Sequence, residues 1–121
     1  MVPFNDMANS SAPKKRLYSQ MLRIRRVEER IADLYPEQQM RCPIHLSIGQ
    51  EAAAVGVCAA LCADDWALSG HRSHGHYLAK GGALKAMLAV VLLVSAGGCA
   101  VIVAIGAEAG RGGVLTLAAV D

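Results

Sequence analysis

The chain has 121 residues, of which 54% are hydrophobic and 18% are charged. This composition allows one packed domain and excludes a disordered chain. The chain has 12 basic and 10 acidic residues, which gives a net charge of +2. The basic residues crowd the N-terminal quarter and acidic residues follow them at once. This arrangement favours a solvated helix face over a nucleic-acid-binding surface.

The cysteines indicate a reducing compartment. The four cysteines form no Cys-x-x-Cys pair, and their spacing does not resemble a disulfide framework. Cys58 and Cys62 lie four residues apart on a predicted helix, where both are expected to act as small apolar side chains. No signal peptide is recognised before Ser11. We therefore expect a cytoplasmic protein.

The first predicted element is an amphipathic helix. It is expected to begin at Ser10 or Ser11 and to end near Leu34, because Pro36 stops it. Apolar side chains recur there at steps of three and four residues. The core-facing residues are Leu17, Met21, Ile24, Val27, Ile31 and Leu34, and the acidic residues assigned to the solvated face are Glu28, Glu29 and Asp33.

Short elements are predicted next. A buried helix is expected from Glu51 to Leu61, with Gly56 placed for close packing against another backbone. A short strand follows at Trp66 to Ser69. A helix from His74 to Ala79 ends at Gly81-Gly82, and another begins at Leu84.

The run from Ala86 to Ala107 has no charged residue. It is long enough for a membrane span of about 20 residues. Ser95, Gly97 and Gly98 interrupt it, so a buried hairpin or pair of strands formed by residues 90–94 and residues 101–105 fits the pattern as well. Buried structure, or an unstable segment, is favoured over a membrane span.

Two short segments combine histidine, glycine and charge. His45 precedes Gly49-Gln50-Glu51, and it is either a satisfied core residue or a functional one. Arg72 is either an anion clamp or the partner of Asp64 or Asp65 in a salt bridge. Glu51 is expected to complement the dipole of the following helix.

Three histidines of the second segment, His71, His74 and His76, have a spacing that allows zinc binding. Arg72 places a positive charge among them, and no extra carboxylate or thiolate lies at ligand spacing. Hydrogen bonds from these histidines to their neighbours are therefore favoured over a metal site.

Three ordered segments carry a family resemblance. They are LYSQMLRIRRVEERIA from Leu17, HLSIGQEA from His45 and HRSHGHYLAKGG from His71. Together they resemble the N-terminal part of the alpha subunit of thiamin-diphosphate-dependent 2-oxo acid dehydrogenases, such as the pyruvate, branched-chain and acetoin enzymes. The resemblance extends from Leu17 to about Ala89.

This resemblance implies an α/β fold with a Rossmann-like thiamin-diphosphate-binding domain, mostly helical with short strands in this portion. It implies decarboxylation of a 2-oxo acid and acyl transfer to a lipoyl group, with a beta subunit and a lipoyl acyltransferase as partners. Arg72 matches the arginine at the cofactor diphosphate. His71 lies beside the cofactor where many members have tyrosine, and His45 matches the histidine that faces the substrate carboxylate.

The sequence departs from the family after Ala89. The Gly-Asp-Gly motif and later Asn that hold magnesium in the family are absent from it. We therefore divide the chain into a lead-in (1–16), an alpha-subunit part (17–89) and an apolar tail (90–121). The expected protein is a truncated alpha subunit, inactive alone. The alternatives are an active subunit completed by its partner, a non-catalytic module that binds the beta subunit, and a small membrane-anchored protein.

The tail consists mostly of Ala, Val, Gly and Leu. A change of reading frame in a GC-rich gene would produce such a tail, and we state this as a hypothesis. The DNA sequence of the locus tests it, since the hypothesis requires an intact downstream frame for the rest of the subunit.

Overall fold

The computed structural model describes residues 11–37, 44–62, 64–70, 72–94, 101–108 and 111–119, with side chains as far as Ala89. Among the described residues, the mostly helical character predicted for this portion is confirmed. The elements in chain order are α1 (Ser11–Leu34), a 3-10 turn (Tyr35–Glu37), α2 (Glu51–Ala60), β1 (Ala67–Ser69), α3 (Ser73–Ala79), α4 (Leu84–Val94), β2 (Val101–Glu108) and β3 (Arg111–Ala119).

Helix α1 forms one wall of the core. It begins at Ser11 and ends at Leu34, where the sequence predicted its ends. Its apolar stripe packs against α2 and α3, as helical periodicity requires. The buried apolar side chains of the core come from α1, α2, α3 and α4: Ile24, Ile31, Ala54, Val55, Cys58, Tyr77, Leu78, Ala79 and Met87.

Helix α2 is buried on one face only, so the expectation of a buried helix holds for that face and is wrong for the other. Ala54 and Val55 face the core, whereas Val57 is 56% exposed. A Cβ atom added to Gly56 would meet nothing within 4 Å, so the expected close packing there is also wrong. Helix α2 ends at Ala60, which leaves Cys62 exposed and outside the helix. The expectation that Cys62 lies on this helix as a small apolar residue is therefore wrong.

The apolar run folds differently from the predicted pairing of residues 90–94 with 101–105. Residues 90–94 complete helix α4, because a helix already formed from Leu84 adds further residues at little cost. Residues 101–105 lie in β2, and β2 pairs with β3 instead. Among the described residues, no helix is long and apolar enough to cross a membrane.

The three described strands form one antiparallel sheet in the order β1-β2-β3. Ala67 lies opposite Ile105 and Ser69 lies opposite Val103. The short strand predicted near Trp66 to Ser69 is thereby confirmed at Ala67–Ser69. This strand leads directly into the segment that carries Arg72.

Candidate functional site

A tight turn shapes the loop of residues 44–50, which we call the His45 loop. The backbone N–H of Gln50 donates to the carbonyl of Ser47 at 2.7 Å. Gly49 has a φ of +88°, a left-handed conformation that glycine adopts without steric cost. The turn is followed directly by Glu51, the first residue of α2.

An ion pair anchors the end of this loop to α1. The Arg25 Nε donates to Glu51 Oε1 at 2.5 Å, and Arg25 Nη2 donates to Glu51 Oε2 at 3.2 Å. Glu51 Oε1 also accepts the N–H of Gly49 at 3.1 Å. The hydrogen bond from Arg25 is the main reason that the pKa of Glu51 falls to about 2. Glu51 lies in the first turn of α2, which confirms its predicted structural role.

Arg72 touches the His45 loop. Its Nε donates to the carbonyl of Leu46 at 2.8 Å, and its side chain is exposed. Arg72 makes no ion pair with any residue that the structure describes, so the alternative of a salt bridge to Asp64 or Asp65 is wrong. The structure thus brings together the two segments that the sequence singled out.

His45 is exposed in the structure, which excludes the alternative of a satisfied core histidine. It directly precedes Leu46, whose carbonyl holds the Arg72 side chain. His71 lies outside the described residues. The predicted roles of His45, His71 and Arg72 toward a cofactor or substrate stay predictions.

A buried carboxylate lies beneath this surface. Glu28 has 0% relative exposure, so its assignment to the solvated face of α1 is wrong. Its Oε2 accepts the N–H of Ser47 at 2.5 Å, and its Oε1 lies 2.9 Å from His74 Nε2. Helical spacing could have revealed it, since Glu28 is four residues after Ile24 and three before Ile31, both of them core residues.

The hydrogen bond predicted for the second histidine segment is seen at His76, whereas His74 makes an ion pair. His74 pairs with Glu28, and His76 Nδ1 lies 3.2 Å from the Ser69 hydroxyl. The Cys58 thiol donates to the carbonyl of His76, and burial raises the pKa of this thiol. Within the described ranges, no group of three histidine, cysteine, aspartate or glutamate side chains could hold a metal ion.

Comparison with known proteins identifies relatives. The family described as "Dehydrogenase E1 component" matches residues 19–98. The alpha subunit of acetoin:2,6-dichlorophenolindophenol oxidoreductase from Bacillus subtilis is 37% identical over 105 residues, which are 87% of this chain and 29% of the relative. No solved structure gives a significant match.

Pyruvate dehydrogenase E1 alpha subunits are also similar. The protein from Zymomonas mobilis is 51% identical over 65 residues, which are 53% of this chain and 18% of the relative. The type I mitochondrial protein from Ascaris suum is 44% identical over 71 residues, 59% of this chain and 18% of the relative. The chain thus spans less than a third of the length of these relatives. It belongs to the dehydrogenase E1 component family and is similar to its alpha subunits, which confirms the resemblance found in the sequence.

Proposed function

We propose that the chain is the N-terminal part of an alpha subunit of a 2-oxo acid dehydrogenase and contributes one edge of a thiamin diphosphate site. The proposed residues are Arg72 and His71 for the cofactor and His45 for the substrate. The contact between Arg72 Nε and the Leu46 carbonyl carries this proposal. It joins Arg72, proposed for the cofactor, to the His45 loop, whose His45 is proposed for the substrate.

The Arg72 side chain fits a diphosphate. Its Nε–H is used by the Leu46 carbonyl, while its two terminal nitrogens make no hydrogen bond to any residue in the described ranges. A guanidinium held in this way keeps donors for two anionic oxygens, which suits two-pronged binding. The side chain is exposed, so a ligand can reach it.

Each residue has a separate role in this proposal. Thiamin diphosphate, when bound, supplies the electron sink for decarboxylation of a 2-oxo acid. Arg72 would neutralise negative charge on the diphosphate and fix its position. The exposed His45 imidazole would donate a hydrogen bond to the substrate carboxylate and hold it near the cofactor. The Rossmann-like fold of the whole domain belongs to the same proposal.

The magnesium part of the family site does not fit the residues at hand. The family motifs that hold the ion are missing from the sequence, and the described residues contain no three-residue ligand cluster. Because magnesium neutralises the diphosphate in the family, we propose that the 121-residue chain binds the cofactor weakly and does not turn over substrate alone.

The partners are proposed from the family. A beta subunit would complete the cofactor site, and a lipoyl acyltransferase would accept the acyl group. Coexpression with a beta subunit distinguishes two possibilities: a complex that binds thiamin diphosphate and turns over a 2-oxo acid, or a stable complex without activity. The second outcome identifies a non-catalytic module. A cytoplasmic location is proposed from the sequence and is tested by cell fractionation.

Anion binding by the isolated chain tests the site directly. We would titrate inorganic pyrophosphate into ¹⁵N-labelled protein and follow the amide signals of residues 44–49 and 72–75. Arg72→Ala should weaken binding about tenfold or more, since a charge-assisted hydrogen bond contributes roughly 1.5–3 kcal/mol. Arg30→Ala is the matched control, because Arg30 is exposed on α1 and remote in sequence from both segments. Equal binding by both variants would overturn the proposed role of Arg72.

A further inference from the structure

We propose that Glu28 is a positioning residue that holds the His45 loop and Arg72 in one arrangement. The inference rests on the proposed function, because it explains how that site is kept in shape. Glu28 lies in the middle of α1, and the chemistry described above gives it no contact with cofactor or substrate. Its carboxylate is buried where an apolar side chain would complete the core stripe.

The two oxygens of Glu28 reach two different segments. Oε2 accepts the backbone N–H of Ser47, two residues after His45. Oε1 faces Nε2 of His74, two residues after Arg72. One side chain therefore joins both halves of the proposed site through a backbone group and a ring nitrogen.

Among the described residues, no other group can replace Glu28 or His74 in their contact. Glu28 Oε1 and His74 Nε2 are both buried, and neither makes a hydrogen bond to any described residue; each has the other as its ion-pair partner at 2.9 Å. Loss of either group leaves the other one buried without its ion-pair partner, which is costly in a low-dielectric interior. The arrangement therefore depends on the pair being intact.

Close packing completes the arrangement, which we call the Glu28 cluster (Glu28, Ser47, His74 and Gly75). A Cβ atom on Gly75 would lie 2.8 Å from Ser47 Oγ and 3.7 Å from Glu28 Oε1. Ser47 Oγ in turn donates to the carbonyl of Arg72 at 3.5 Å. The cluster thus extends to the backbone of Arg72 itself.

The backbone of Arg72 needs such support. Its φ of +63° is left-handed, and it is the one described residue other than glycine with a positive φ. This conformation is unfavourable for a residue with a Cβ and persists only where its surroundings hold it. Its carbonyl accepts hydrogen bonds from Ser47 Oγ and from the N–H of Gly75 at 3.2 Å. The cluster therefore holds the backbone that aims the Arg72 guanidinium.

The test compares Glu28→Gln with Glu29→Gln in the full chain. Glu29 is the adjacent, exposed glutamate of α1, so the control has the same substitution and the same change of charge. Two readouts are followed in ¹⁵N-labelled protein: the affinity for pyrophosphate, and the side-chain signal of Arg72 Nε–H, which reports its bond to Leu46. The melting temperature and the helical circular dichroism signal show whether the fold persists.

We expect Glu28→Gln to keep the helical signal, to lose the Arg72 Nε–H signal and to bind pyrophosphate at least fivefold more weakly. Glu29→Gln should stay within twofold of the original affinity. A Glu28→Gln protein that keeps both the signal and the affinity overturns the inference. If the unaltered chain binds no pyrophosphate, the proposed function fails while the Arg72 Nε–H signal still decides the role of Glu28.

A second pair of variants covers the case in which Glu28→Gln does not fold. His74→Gln keeps a side-chain N–H donor for Glu28, whereas His74→Leu removes it. We expect His74→Gln to retain the Arg72 Nε–H signal and the pyrophosphate affinity better than His74→Leu does. Equal behaviour of these two variants would contradict a positioning role.

Discussion

Two contacts join α1 to the His45 loop, and they differ in their surroundings. The Glu28 cluster is buried, and its carboxylate has 0% exposure. The Arg25–Glu51 pair lies at the edge, with the Arg25 side chain 38% exposed and that of Glu51 8% exposed. Both contacts use a glutamate that accepts a backbone N–H of the loop, from Ser47 in one case and from Gly49 in the other.

The difference in solvent access determines what each contact can do. Water can replace Arg25 as a partner of Glu51 in part, and salt screens such a pair, so its net stabilisation is small. Water cannot reach Glu28, so removing its partner leaves an unsatisfied group. The buried contact is therefore suited to holding the His45 loop and Arg72 in one geometry. The edge contact stabilises the start of α2.

The largest expected effect is on the buried contact. Glu28→Leu should lower the free energy of unfolding by about 3–5 kcal/mol, because it leaves His74 and the Ser47 N–H without their partner. Urea unfolding followed by circular dichroism measures this value. Glu29→Leu, at the exposed neighbour, should change stability by no more than about 0.5 kcal/mol.

The double variant Glu28→Leu/His74→Leu tests whether the loss of stability comes from breaking the Glu28–His74 pair. An apolar replacement of both partners is often close to neutral, so it should recover part of the stability lost by Glu28→Leu alone. A double variant less stable than the single one would show that His74 contributes independently of Glu28.

Two helical glycines provide the next comparison. Gly75→Ala should destabilise the protein by about 1–3 kcal/mol, since its Cβ would press on Ser47 in the Glu28 cluster. Gly56→Ala should stabilise it by up to about 1 kcal/mol, because alanine favours a helix and the space there is open. Thermal unfolding measures both, and opposite signs are expected. Equal shifts would mean that the cluster tolerates a methyl group.

These residues also show how far the sequence could predict the structure. The capping serine and Pro36 predicted the ends of α1, and the apolar spacing predicted its core face, because a helix has one local period. The same spacing places Glu28 on that face, yet its acidic neighbours suggested solvent. The partners that make its burial possible, Ser47 and His74, lie 19 and 46 residues further on, and their approach depends on tertiary packing.

The candidate site was predicted in a different way. The family resemblance gave Arg72 and His45 roles in one site, whereas no local pattern joins residues so far apart. Local sequence also could not tell that Gly75 meets another segment while Gly56 faces open space. The pairing of β2 with β3 had no firm signal, because the residues after Arg111 are mostly small and apolar.

Cysteine labelling gives a third comparison of buried and edge positions. Cys58 is buried and its thiol donates to α3, whereas Cys62 is exposed beyond the end of α2. In a Cys42→Ser/Cys99→Ser background, a maleimide should label Cys62 at least tenfold faster than Cys58, because burial raises the Cys58 pKa and only local opening exposes the thiol. Glu28→Leu should speed Cys58 labelling, and Arg25→Gln should not. Equal labelling rates of both cysteines would contradict the burial of Cys58.

The smallest effect is expected at the edge pair, and it depends on pH. The Glu51 carboxyl has a pKa of about 2 in the folded chain, below its ordinary value of about 4.3. Between these values the unfolded chain binds more protons than the folded one, so the contribution of Glu51 is fully present above this window and is lost as pH falls through it.

Arg25→Gln should reduce the acid dependence of the melting temperature between pH 5 and pH 2, because it removes the main cause of the low pKa. Glu29→Gln serves as the control, and an unchanged acid slope in Arg25→Gln would show that the backbone N–H groups around Glu51 suffice without the ion pair.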